Sequence, residues 1–219
     1  MGAGLALALK NCNKPCCAIT MFGDGAANQG QYYEAANMAG IWKLPCVFLI
    51  ENNHYGMGTS EQMAHSYLPI MGKLRGFPAL HCDGSNIWAV KEATKFCKEY
   101  TIKNGPIVLE IDTYRYFGHG PSDPGITYRK AEEVQERRSK RDCIDLVRKY
   151  LIQNQVSTKE ELDQKDKEIS RKIRDDVQKA ISDPHPDEKE LLTHVYVEKT
   201  LPYIRAVEYE KSIFNEHKM

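Results

Sequence analysis

The sequence lacks a net charge: among its 219 residues, 30 lysines and arginines face 30 aspartates and glutamates. With no positive field to draw a polyanion, nucleic acid and anionic membrane surfaces are excluded as default partners. Long apolar runs are missing too, none approaching the roughly 20 residues that cross a bilayer. The Leu5 to Leu9 stretch is too short for an anchor and has no basic residues ahead of it, so no targeting segment is visible. Ala6 stands where a myristoylation signal requires Ser or Thr. There is no Cys-x-x-Cys pair and no Cys/His group at zinc spacing. The seven cysteines are an odd set in a chain too large to need disulfide staples. They are expected to be free thiols that fill the core in a reducing compartment.

What is present divides into two regimes. Residues 1–120 hold only 10 basic and 9 acidic side chains, leaving 20 and 21 for the last 99 residues. The first regime alternates small or aliphatic runs with glycines, as buried strands and crossover helices do. Apolar runs at 16–22 and 46–50 predict strands, with a turn at 25–30 and a helix over 31–42 between them. A short strand at 80–82, a helix over 86–100 and a third long strand at 107–111 follow. This alternation predicts an α/β fold, a parallel sheet with helices on both faces. After a Gly/Pro-rich loop, 118–125, the second regime is a charged helical region. There Ser157 or Thr158 with Glu160 or Glu161 predicts a capping box, and Leu162, Ile169, Ile173, Val177 and Ile181 form the stripe of a packing helix ending before Pro184. The domain division expected is 1–129 and 130–219.

The chemistry concentrates at two strand ends. Gly23-Asp24-Gly25-Ala26-Ala27-Asn28 follows the first strand, and Glu51-Asn52-Asn53 closes the second, 29 positions from Asp24 to Asn53. Ligands of open α/β sheets bind outside the carboxyl ends of strands, so both motifs address one crevice. Glycines there admit phosphate oxygens, and the following helix offers its N-terminal N–H groups. A carboxylate beside a diphosphate needs an intervening cation. Hard oxygen donors from Asp24, the Asn53 amide and the Tyr55 carbonyl suit Mg²⁺. Other phosphate motifs fit worse: Gln31-Tyr32 stand where a P-loop needs Lys and Ser/Thr, and Asn28 replaces the third small residue of a dinucleotide fingerprint. Glu61 is expected on an exposed turn.

These residues resemble the thiamine diphosphate motif, which begins Gly-Asp-Gly and ends Asn-Asn. With Trp42-Lys43-Leu44-Pro45-Cys46, with His54-Tyr55-Gly56-Met57-Gly58-Thr59-Ser60, and with Thr113 to His119 followed by Ser122 to Arg129, the text from Gly2 to about Pro186 is similar to the α subunits of pyruvate dehydrogenase decarboxylating components, within the thiamine diphosphate-dependent 2-oxo acid dehydrogenases. The resemblance implies a thiamine diphosphate-binding fold and two cofactors, thiamine diphosphate and Mg²⁺. It implies Asp24, Asn53 and the Tyr55 carbonyl as metal ligands, Gly25 and Ala26 on the diphosphate, and His119 as the loop histidine that reaches the cofactor and serves catalysis. The implied reaction is oxidative decarboxylation of pyruvate with acetyl transfer to a lipoyl group, feeding acetyl-CoA formation. Implied partners are a β subunit in an α2β2 heterotetramer and a lipoyl-bearing acetyltransferase core; the implied location is the mitochondrial matrix. Ser60, Ser122 and Thr127 are candidate regulatory phosphorylation sites, while Gly120 stands where the family's main target serine lies. Relatives carry a long upstream segment, so the chain is expected to be an N-terminally truncated form. The alternative is a truncated, non-catalytic assembly or regulatory form of that subunit.

Overall fold

A computed structural model of the chain describes residues 1–64, 77–188 and 190. Two compact units are present, residues 1–162 and 163–219. The first begins with α1 (Gly2–Asn11), β1 (Ala18–Gly23), the single turn α2 (Asp24–Ala27) and α3 (Gly30–Ile41). Then come β2 (Cys46–Asn52), the two-residue strands β3 (Tyr55–Gly56) and β4 (Thr59–Ser60), and the short helix α4 (Glu61–Ala64). β5 (Ala79–Asp83), α5 (Ile87–Asn104) and β6 (Ile107–Asp112) complete the sheet, followed by α6 (Ala131–Arg141), α7 (Cys143–Gln153) and the long α8 (Lys159–Ser182).

Four strands pair in parallel in the order β1-β2-β6-β5. The α/β expectation therefore holds, and the register places Gly23 beside Glu51, Asn52 beside Asp112 and Asp83 beside Asp112, so all four carboxyl ends finish level. The physical basis is the two-residue side-chain period of β2. Cys46, Phe48 and Ile50 point into one buried cluster with Ala6 of α1 and Ala36 and Ala39 of α3. Val47 and Leu49 point into the other, with Cys97 and partly buried Ala93 of α5. A strand covered on both faces must be apolar throughout, which is why 46–50 carries no alternation. Small alanines on α1 and α3 let those helices lie close to the sheet. α5 is capped by Asn86, whose side chain accepts from the backbone N–H groups of Trp88 and Ala89, both at 3.1 Å.

Several expectations need correcting. The first strand starts at Ala18, because Cys16 and Cys17 lie outside the ladder and the Cys16 N–H turns back to the Lys14 carbonyl at 2.8 Å. The turn expected at 25–30 contains a helical turn, Asp24–Ala27, closed by Asn28 N–H to Gly25 carbonyl at 3.2 Å. Of the seven cysteines, Cys46, Cys82 and Cys97 are buried, whereas Cys12, Cys16 and Cys143 are exposed and Cys17 is half-buried. On α8 the stripe residues Ile169, Ile173, Val177 and Ile181 are exposed. The helix carries polar contacts of its own. Thr158 N–H donates to Glu161 Oε2 at 2.9 Å while Glu161 N–H donates to Thr158 Oγ1 at 3.2 Å, the reciprocal capping box, and Lys165 meets Glu168 at 2.9 Å. The C-terminal region from residue 191 lies outside the described residues.

Candidate functional site

Because β1, β2 and β6 are successive neighbours in the sheet, the loops leaving their carboxyl ends lie side by side, and the candidate site spans these three strand ends. Asp24 opens α2 directly after β1 and is only 2% exposed. Among the described residues it makes no ion pair with lysine, arginine or histidine. Burial pushes its pKa up, and the N–H groups of Asp24 itself and of Asn53 counter this only in part. The Asn53 hydrogen bond joins the two motifs physically. A second junction lies between Gly25 and Gly56, so close that a Cβ on Gly25 would stand 2.9 Å from the Gly56 Cα. Only two glycines allow the β1 and β2 loops to touch.

A buried carboxylate that makes no ion pair among the described residues, beside an amide oxygen and a loop carbonyl with acceptor capacity to spare, is a hard-oxygen donor set that fits a divalent cation. Half-buried Asn53 accepts from the Tyr55 N–H at 3.3 Å through its Oδ1. The Tyr55 carbonyl accepts from Arg115 Nη1 at 3.2 Å, which leaves it one lone pair. Half-buried Gly25 and exposed Ala26 continue along α2. Among the described residues no group of three His, Cys, Asp or Glu side chains could hold a metal, so any cation here relies on amide and carbonyl oxygens beside Asp24.

His119 is exposed on the loop after β6, its Nδ1 3.4 Å from Arg115 Nη1 and its N–H on Asp123 Oδ2 at 2.8 Å. Arg115 thus connects the His119 loop to the Tyr55 and Met57 carbonyls, the latter at 2.7 Å. The loop carries its own bracing. Arg129, 6% exposed, donates to the carbonyls of Arg115, Phe117 and Gly125 and lies over the rings of Tyr55, Tyr114 and Tyr128. Asp123 collects the N–H groups of His119 and Gly125 and the Tyr128 hydroxyl, and the Tyr128 bond foremost holds its pKa down at about 2. Ser122 and Thr127 are exposed on either side of Asp123, and Ser60 is half-buried in β4 opposite Tyr55.

The dehydrogenase E1 component family matches residues 1–189. Over 197 residues, 90% of this chain, the sequence is 47% identical to the mitochondrial pyruvate dehydrogenase E1 component subunit alpha-1 of Oryza sativa subsp. japonica. It is equally similar to the somatic mitochondrial alpha subunits of Bos taurus and Homo sapiens. The chain belongs to the dehydrogenase E1 component family. It spans about half the length of the curated relatives it matches, 50% of each of these three. Members of this E1 family depend on thiamine diphosphate.

The family motif did not point to the side chains beneath it. His54 lies between Glu61 and Asp112, its Nδ1 2.8 Å from Glu61 Oε1 and its Nε2 2.7 Å from Asp112 Oδ1. The bond to Asp112 pushes the imidazole pKa up, burial notwithstanding. Glu61 is therefore no exposed turn residue: it also accepts from Asn52 Nδ2 at 2.9 Å, and it starts α4, which turns it inward. Asn52 in turn donates to Glu110, fully buried in β6, at 2.9 Å. A charged residue inside the apolar run 107–111 was the one signal in the sequence that a polar network crosses the core there. Arg141 of α6 closes the set, on Asp112 at 2.9 Å and Asp83 at 2.6 Å.

Two expected results arise from this geometry. Gly25→Ala should lower stability by about 1–3 kcal/mol, since its Cβ meets backbone that cannot rotate away. Gly30→Ala, with open space at its Cβ, should be neutral; equal melting temperatures for both variants would contradict the close approach. The second result concerns acid. Burial raises the Asp112 pKa, but the bonds from His54 and Arg141 outweigh it and hold the carboxyl at about 2, against an ordinary 3.8. A depressed folded-state pKa adds stability above about pH 4 that is lost as pH falls towards 2, here about 2 kcal/mol. Asp112→Asn should therefore lower the urea midpoint at pH 7, with the deficit shrinking towards zero near pH 2. A deficit equal at both pH values would refute this.

Proposed function

We propose that this chain is the diphosphate- and Mg²⁺-binding part of a pyruvate dehydrogenase (acetyl-transferring) α subunit, residues 1–129 serving the cofactor and 130–219 forming its helical extension. Supporting this reading above all is the buried Asp24 carboxylate, without an ion pair among the described residues and accepting from the Asn53 backbone N–H across two strand ends. Asp24, the Asn53 side chain and the Tyr55 carbonyl would hold Mg²⁺, while Gly25 and Ala26 admit the diphosphate without side-chain obstruction. Thiamine diphosphate, when bound, supplies the electron sink for decarboxylating a 2-oxo acid. The chain's own residues bind and orient it. His119 sits on a braced loop where its imidazole can hold or release a proton, and Arg115 keeps that loop registered to the Tyr55 carbonyl.

The curated relatives are named as mitochondrial alpha subunits. On that ground the proposed setting is the mitochondrial matrix, the proposed substrate pyruvate, and the proposed partners a β subunit in an α2β2 heterotetramer and a lipoyl-bearing acetyltransferase core. Phosphate on exposed Ser122 or Thr127 would bring about −1.5 to −2 charge beside Asp123 and oppose the bracing of the loop. The same charge on Ser60 would fall on the hairpin facing Tyr55. Calorimetric titration of thiamine diphosphate with Mg²⁺ into the chain, alone and with a β subunit, tests the reading. Binding that requires Mg²⁺, with pyruvate-dependent reduction of an artificial electron acceptor in the reconstituted complex, is expected; Mg²⁺-dependent binding without turnover would mark a non-catalytic form, and no binding in either setting would reject the site.

A further inference from the structure

We propose that His54 is a positioning residue: by bridging Glu61 and Asp112, its imidazole sets the backbone of the Asn53 to Tyr55 segment and thereby its affinity for a cation-bound diphosphate. The inference rests on the reading of Asn53 and the Tyr55 carbonyl as cation donors, which flank His54 directly.

His54 has φ +70°, a left-handed conformation that disfavours side chains and needs outside support. Four contacts supply it. The His54 N–H donates to Asn52 Oδ1 at 3.0 Å, and its carbonyl accepts from the Glu61 N–H at 2.9 Å. Both ring nitrogens are engaged by carboxylates from different elements, Glu61 at the start of α4 and Asp112 at the end of β6. Glu61 spreads its two oxygens between His54 and Asn52, so residues 52, 54 and 61 close into a ring. Asp112 is in turn held by Arg141, which also grips Asp83 at the end of β5. The bridge therefore ties the loop after β2 to the rigid ends of β5 and β6. The Tyr55 N–H, on Asn53 Oδ1, lies within this tied segment.

The backbone alone would not hold the segment so. A single amide side chain at 54 would tolerate the left-handed conformation yet reach one carboxylate only, letting Asn53 and Tyr55 move independently of the sheet. A guanidinium, with donors on a planar fork, could engage both carboxylates and replace the bridge.

The test compares the full chain with His54→Asn and His54→Arg variants in three measurements: amide hydrogen exchange without ligand, calorimetry with thiamine diphosphate and MgCl2 (with the β subunit where binding needs it), and thermal unfolding. His54→Asn is expected to speed exchange at the Tyr55 and Glu61 amides about tenfold while the β2 and β6 ladder amides stay protected, and to weaken Mg²⁺-dependent binding by about tenfold. His54→Arg is expected to restore both. Should His54→Asn fail to fold, Glu61→Gln, which keeps size and removes the charge facing the imidazole, must show the same local effect. Unchanged exchange in His54→Asn or Glu61→Gln, unchanged affinity despite faster exchange, or no rescue by arginine would overturn the proposal. If no protein binds the cofactor while exchange follows the expected pattern, the cofactor reading fails and the bridge alone survives.

Discussion

Asp24→Asn is expected to abolish Mg²⁺-dependent binding of thiamine diphosphate while making the ligand-free chain slightly more stable. The two effects have opposite signs because one carboxylate causes both. Buried and without an ion pair among the described residues, it is costly in the empty site; its pKa, raised by burial, means that its ionised form at neutral pH works against folding. An amide of the same shape keeps an oxygen for the Asn53 N–H and removes the charge, adding about 1 kcal/mol of stability. It also removes the only carboxylate in the proposed donor set, so affinity should fall roughly a hundredfold or more. Urea denaturation and calorimetry on the same preparations check the pair. A variant that loses stability as well as binding would point to a structural role for Asp24, and one that binds normally would remove it from the metal site.

Arg129→Ala should release the loop from 115 to 128. The guanidinium serves three carbonyls and three aromatic faces from a buried position, and its removal leaves those carbonyls unsatisfied in a space water must then enter. A loss of about 3 kcal/mol is expected, together with chymotryptic cleavage after Tyr116 or Phe117 that the unaltered chain resists. Arg129→Lys should rescue little, since an ammonium group cannot reach three carbonyls from one plane. Resistance to cleavage with an unchanged urea midpoint would show that the loop is braced by Asp123 and Arg115 alone. His119 gives the prediction its functional content, because its position depends on the same bracing.

Much of the architecture was legible because it repeats locally. The continuous apolar run 46–50 marks a strand buried on both faces, and Asn86 marks a helix start, each from chemistry contained within a few residues. The α8 stripe was legible as helix but not as to packing, since periodicity reports a face and not what covers it. The same limit applied to the cysteines, where composition could not separate Cys46 from exposed Cys16.

By itself, the sequence determined that Gly-Asp-Gly and Asn-Asn follow consecutive strands of a parallel sheet, and therefore that Asp24 and Asn53 share one edge. Tertiary structure alone decided what stands behind them. His54 meets Asp112 across 58 positions, Arg141 meets Asp83 across another 58, and Arg129 turns inward instead of facing solvent. Such pairings leave no periodic trace, because they depend on strand order and on the level at which each strand ends. Glu61 shows this most plainly: its residue type suggests a solvated turn, but the hairpin at 55–60 returns the chain so that its carboxylate lies against His54 and Asn52.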